Sequence, residues 1–157
     1  MQFEHLIEIN DPLNPLIDTL TREQLWRGLV LRAETPKLFI PWLDECNLLA
    51  RQEHQLSRAL RYNALLIHDQ VTFTPQQSVR YEVPAQTDIP ASSLVMTIEE
   101  PQAGALFVRF AYDTGTSDDD MDAFYNEFRR SAYQEADIDT IRIIRELAEE
   151  GRLERPV

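Results

Sequence analysis

Glycine is scarce in this chain, four in 157 residues, and neither glycine nor proline occurs from Thr116 to Glu150. So few glycines leave no loop able to cradle a phosphate. A stretch that long without a breaker reads instead as one closing helix from about Asp119 to Glu150, on the order of 45 Å at 1.5 Å per residue. Cys46 is the only cysteine, so an internal disulfide is excluded and a reducing, cytoplasmic setting is expected. Asp44 and Glu45 beside it disfavour a thiolate and point to a packed, structural thiol. Apolar runs stop at four residues, as in Ala64 to Ile67, so no membrane insertion is expected. Met1 to His5 shows neither a basic start nor an apolar core, so no secretory leader is expected. Positive charge is also short. With 15 Lys and Arg against 27 Asp and Glu, the net charge is −12, which repels nucleic acid and anionic headgroups. Much of that excess sits in Asp118 to Asp122 and Glu146 to Glu150, where it serves solubility and the helix dipole. No serine stands in a nucleophile-elbow context, and no second histidine or cysteine has metal-ligand spacing. No catalytic residue, metal or cofactor is therefore assigned.

What is present is an ordered series of elements in a single domain, 1–157. Phe3 to Asn10 alternates as a half-buried strand with Phe3, His5, Ile7 and Ile9 inward. Thr21 and Gln24 have the spacing of a capping box, and the helix they open buries Leu25, Trp26, Leu29, Val30 and Ala33. Thr35-Pro36 starts a second short helix, limited by Pro41. From Cys46 the period changes to two, giving strands at Cys46–Arg51, Gln55–Tyr62, Leu65–Thr74, Ser78–Val83, Ser93–Glu100 and Leu106–Asp113. The turns between them are short, so sequence neighbours should pair antiparallel. The fold class is α+β: a curved seven-stranded antiparallel sheet wrapped around a long C-terminal helix, with two short helices after the first strand.

One face of this sheet is apolar. It carries Leu65, Ile67, Val71 and Phe73, then Val79, Tyr81 and Val83, then Leu94, Met96 and Ile98, then Leu106, Val108, Phe110 and Tyr112. The helix opposite shows a stripe of Met121, Tyr125, Phe128, Ala132, Ala136, Thr140, Ile144 and Leu147, bulky at both ends and small in the middle. Small residues over a concave sheet mean either close packing or an unfilled volume. In the second case a small hydrophobic ligand would be lined by Val71, Tyr81, Met96, Ile98, Phe110, Tyr112, Ala132 and Ala136.

Four polar residues fall on the same inner face: His5, Arg58, Asp69 and Glu100. A two-residue turn at Asn63-Ala64 sets Tyr62 opposite Leu65, Leu60 opposite Ile67 and Arg58 opposite Asp69. Opposite charges on an apolar face should pair. The pair would be either structural or an anchor for a ligand's polar group. His5 is the only inward histidine, and Glu100 is placed at the pocket rim with Glu99 in solvent.

Four segments are similar to a known family: Met1-Gln2-Phe3-Glu4-His5, Glu23 to Leu29, Met96-Thr97-Ile98-Glu99-Glu100-Pro101 and Leu106 to Tyr112. They resemble the AtaL-like family, within the superfamily of START lipid-transfer domains, polyketide cyclases and the birch-pollen allergen. The resemblance implies a helix-grip fold with a cavity between sheet and helix, and carries over no catalytic residue. Relatives bind sterols, lipids, hormones or polyketides, and some perform chemistry. Three functions are open on these grounds: binding of a small hydrophobic molecule, a cyclase or aromatase in which His5, Asp69 or Tyr112 moves protons, and a protein-interaction module. The last would use Ile138 and Ile141, which fall off the helix stripe, to dock a partner or form a homodimer.

Overall fold

The computed structural model describes residues 2–115 and 123–154. The expected helix start at Asp119, Met121 and the acidic cluster Asp118 to Asp122 lie outside them. The chain forms β1 (Gln2–Glu8), α1 (Arg22–Glu34) and a 3-10 turn at Pro36–Leu38. It continues through β2 (Glu45–Arg51), β3 (Gln55–Tyr62), β4 (Leu65–Thr74), β5 (Ser78–Val83), β6 (Ser92–Gln102) and β7 (Ala105–Asp113), then α2 (Ala123–Glu149). The seven strands lie in the order β1-β7-β6-β5-β4-β3-β2. A meander from β2 to β7 therefore ends by pairing with the first strand, and α2 crosses the concave face. The second of the two expected helices is only the 3-10 turn, because Pro41 follows too closely for a further helical turn.

Local chemistry fixes each junction. Thr21 Oγ1 accepts from Gln24 N–H at 3.0 Å while Thr21 N–H donates to Gln24 Oε1 at 2.9 Å, closing the capping box of α1. Asn63 takes φ +54° at the β3–β4 turn, and the register is Tyr62 with Leu65, Leu60 with Ile67 and Arg58 with Asp69. In the β6–β7 hairpin the ladder slips between Glu99 and Gln102, at Pro101, which has no N–H to give. The register beyond it is kept, with Ile98 opposite Val108 and Leu94 opposite Tyr112.

The core lies between the sheet and the two helices. Leu25 and Leu29 of α1, Val71, Val79, Met96, Val108 and Phe110 of the sheet and Ile144 of α2 are all wholly buried. The helices meet closely at Gly28, where a Cβ would lie 2.7 Å from Ile144 Cγ2.

Along α2 the inward face differs from the expected stripe. Thr140, Ile144 and Leu147 are buried as read, but Tyr125, Phe128, Ala132 and Ala136 are exposed. Ala132 and Ala136 thus line no pocket. The cause is helix geometry: Phe128, Ala132, Ala136, Thr140 and Ile144 run in steps of four. Each step overshoots a turn by about 40°, so the stripe winds about 160° round the helix. The inward face is instead Asn126, Tyr133, Asp137, Thr140, Ile141 and Ile144, related by intervals of three, four and seven. Ile141, expected off the stripe, belongs to the core, and only Ile138 is exposed.

Candidate functional site

Strand pairing arranges the inner face in rows across the sheet. Phe73, Val79, Met96, Phe110 and His5 form one row, and Leu56, Val71, Tyr81, Leu94, Tyr112 and Phe3 the next. In the first row Val79, Met96 and Phe110 are fully buried. In the second, Val71 and Tyr81 are buried while Leu94 and Tyr112 are only half covered. Beyond it Tyr62, Ile67 and Val83 are half covered too. The inner face therefore runs from a packed core under the C-terminal half of α2 to a partly uncovered apolar end. Of the predicted ligand residues, Val71, Tyr81, Met96, Ile98 and Phe110 belong to the packed part.

Two polar clusters are set into this face. In the first, Asp137 of α2, fully buried, lies with Oδ2 2.7 Å from His5 Nε2 and accepts the Tyr112 hydroxyl at 2.7 Å. Tyr112 stacks on Tyr133 with 4.2 Å between ring centroids, and His5 stacks between Phe3 and Phe110. Burial pushes the Asp137 carboxyl above its usual range, outweighing the hydrogen bonds from His5 and Tyr112. The Tyr112 phenol is pushed strongly upward, first by burial and then by the Asp137 charge, so it stays a donor.

The second cluster is the predicted pair. Arg58 Nε and Nη2 donate to the two oxygens of Asp69 at 2.9 and 2.5 Å, and Nη1 donates to the Ala33 carbonyl at 2.9 Å. Arg58 and Arg32 each stand 5.1 Å from the centroid of the Tyr81 ring. Burial works against the Arg58 charge, but Asp69 more than offsets it and raises its pKa. Cys46 is half-buried, and burial raises its thiol. Glu100 lies away from this site: it is exposed, accepts from Gly104 N–H at 2.9 Å and pairs with Arg22 at 3.4 Å. The hairpin slip at Pro101 turns it there. Glu99, expected in solvent, is half covered and held by Arg109 at 2.5 Å.

Asp137, Tyr133 and Arg32 were not foreseen, because charged or polar residues on helices read as solvated. The signal was positional. Asp137 precedes Ile141 by four residues and Ile144 by seven, and Arg32 follows Leu29 by three and Leu25 by seven, so each sits on its helix's apolar face.

A separate cavity of about 660 Å³ opens on the opposite face of the sheet, where Ser57, His68, Gln70, Arg80, Glu82 and Ser93 point outward. Arg58 and Asp69 are the only predicted ligand residues that contribute to it.

A family described as acetylaranotin biosynthesis cluster protein L matches residues 7–151. The chain belongs to this AtaL family. No curated protein matches it in sequence. Solved structures with a similar fold include the Zhui aromatase/cyclase from Streptomyces, 12% identical over 99% of this chain and 96% of that one, with a TM-score of 0.59. Human STARD10 is 11% identical over 94% of this chain and 64% of its own, with a TM-score of 0.63. The di-domain aromatase/cyclase StfQ from the steffimycin biosynthetic pathway is 12% identical over 95% of this chain and 50% of its own, with a TM-score of 0.66. These likenesses establish the helix-grip fold of this AtaL-family protein.

Proposed function

We propose that this protein binds a small hydrophobic molecule on the inner face of its sheet. The observation that carries the reading is the fall in burial along that face. Met96 and Phe110 are sealed, whereas Leu94, Tyr112, Val83, Ile67 and Tyr62, one or two rows on, stay half covered. A ligand completing their burial gains roughly 25 cal/mol for each Å² of apolar surface removed from water. The outer cavity, whose wall is more apolar than polar, is the competing surface for such a molecule, with the Arg80–Glu82 pair at 2.5 Å set into it. Membership of a biosynthetic-cluster family and structural likeness to aromatase/cyclases support a polyketide-like ligand.

The protein purified from its own host and sprayed under native conditions should carry a mass increment that denaturation releases as an apolar compound. Bare protein that also takes up no neutral naphthalene probe would contradict the proposal.

A second reading, a cyclase-type enzyme, is favoured by the His5–Asp137–Tyr112 cluster. A neutral phenol hydrogen-bonded to a carboxyl with a raised pKa is a route for a proton to and from a bound carbonyl compound. It differs from the first in one outcome: the released compound would be altered relative to the material supplied, and Asp137→Asn would leave it unaltered.

A further inference from the structure

Two guanidiniums stand against the Tyr81 ring and are held differently. Arg58 has Nε, Nη1 and Nη2 engaged by Asp69 and the Ala33 carbonyl, which leaves it little for a ligand. Arg32 lies against the same ring, Tyr81, and its Nε is buried without a hydrogen-bond partner. The Tyr81 hydroxyl is buried without one as well. Asp137 acts on Arg32 through its charge, but its two oxygens already serve His5 and Tyr112. Burial works against the Arg32 charge, yet Tyr81, Tyr112 and Asp137 more than offset it, so the guanidinium stays protonated.

A charged donor and a neutral donor thus stand side by side in an apolar wall; they interact with each other, yet Arg32 Nε and Tyr81 Oη each lack a well-formed hydrogen bond. Buried polar groups are nearly always satisfied, and an unsatisfied one calls for a missing partner. The partner must accept from both, and negative charge on it would be matched by Arg32. The fork of a guanidinium and the hydroxyl beside it suit an oxygen anion better than a neutral carbonyl.

Resting on the ligand reading above, we infer that the hydrophobic ligand ends in an anionic oxygen group, which accepts hydrogen bonds from Arg32 Nε and Tyr81 Oη. Arg32 and Tyr81 are then the residues that select a lipophilic acid over a neutral molecule of the same shape. The chain's net charge of −12 opposes any general attraction of anions, so such a preference has to arise locally.

The test compares two fluorescent probes with one skeleton: neutral N-phenyl-1-naphthylamine and its sulfonate, 1-anilinonaphthalene-8-sulfonate. The wild-type protein should bind the sulfonate at least about tenfold more tightly, the step expected of one charge-assisted contact. Arg32→Met should bring the ratio of the two affinities close to one, and Tyr81→Phe should lower it part of the way. Should Arg32→Met fail to fold, Tyr81→Phe and Arg32→Lys carry the same comparison. Equal affinities in the wild type, or a ratio untouched by these changes, would overturn the anion assignment while leaving hydrophobic binding intact. Failure of both probes to bind would overturn the ligand reading itself.

Discussion

Arg58 is held by three hydrogen bonds in a site where both it and Asp69 are nearly inaccessible, at 5% and 6% side-chain exposure. Removing one partner strands the other. Arg58→Met should cost about 3–5 kcal/mol in urea unfolding. Adding Asp69→Leu should recover most of that, but not all, because the Ala33 carbonyl at the end of α1 loses its donor, worth about 1 kcal/mol. A double variant no more stable than the single one would show that the pair is not the structural unit described. The pair was legible in the sequence because two local rules, a two-residue turn and a period of two, fix which residues face each other. Asp137 was not, because its burial depends on which side of α2 meets a sheet formed far away in sequence.

Asp137 also gives the protein a pH dependence. Its folded pKa is raised by burial, so the native state holds this proton to higher pH than the unfolded chain. The stability from this group is complete below the ordinary carboxylate value, about 3.9, and is lost as pH rises through the raised value. His5, Tyr112 and Arg32 face the same carboxyl, so the group's share is best read by difference. From about pH 4 upward, the unfolding free energy of the wild type should fall relative to that of Asp137→Asn. A difference that stays constant with pH would contradict this.

Elements differ in how much their own sequence says about their partners. Strands β3, β4 and β5 begin and end where the alternation and turn residues place them, because a strand's two faces are set by its period alone. A helix can turn any side to its neighbour, and in α2 the regular four-residue spacing of apolar and small residues drew attention to a line that winds into solvent. The contact that fixes α2 instead is Gly28 of α1 against Ile144. A methyl group at Gly28 would lie 2.7 and 2.8 Å from Ile144 Cγ2 and Cγ1, and a fully buried β-branched side chain has little room to yield. Gly28→Ala should therefore cost about 1–3 kcal/mol despite the better helix propensity of alanine. In an Ile144→Ala background the same change should be neutral or favourable. Additive effects of the two substitutions, measured by thermal or urea unfolding, would mean that the helices do not meet there.

At the scale of the whole molecule, the sheet, α1 and the C-terminal half of α2 form a solid grip, and the inner face opens beyond it. The helix-grip architecture was legible from the order of elements and from the family resemblance. Which face receives a ligand was not legible, because the sequence reading rested on Ala132 and Ala136 pointing inward and both are exposed. Two surfaces now compete: the half-covered inner end, with Leu94, Tyr112 and Ile67, and the outer cavity, with His68, Gln70, Arg80 and Glu82. Because successive strand residues point to opposite faces, one experiment separates them. Titration of isotopically labelled protein with neutral N-phenyl-1-naphthylamine, followed by side-chain NMR shifts, should perturb Leu94, Ile67 and Tyr112 and leave His68, Gln70 and Arg80 in place. Shifts confined to the outer set, or no saturable shifts at all, would contradict an inner-face hydrophobic site.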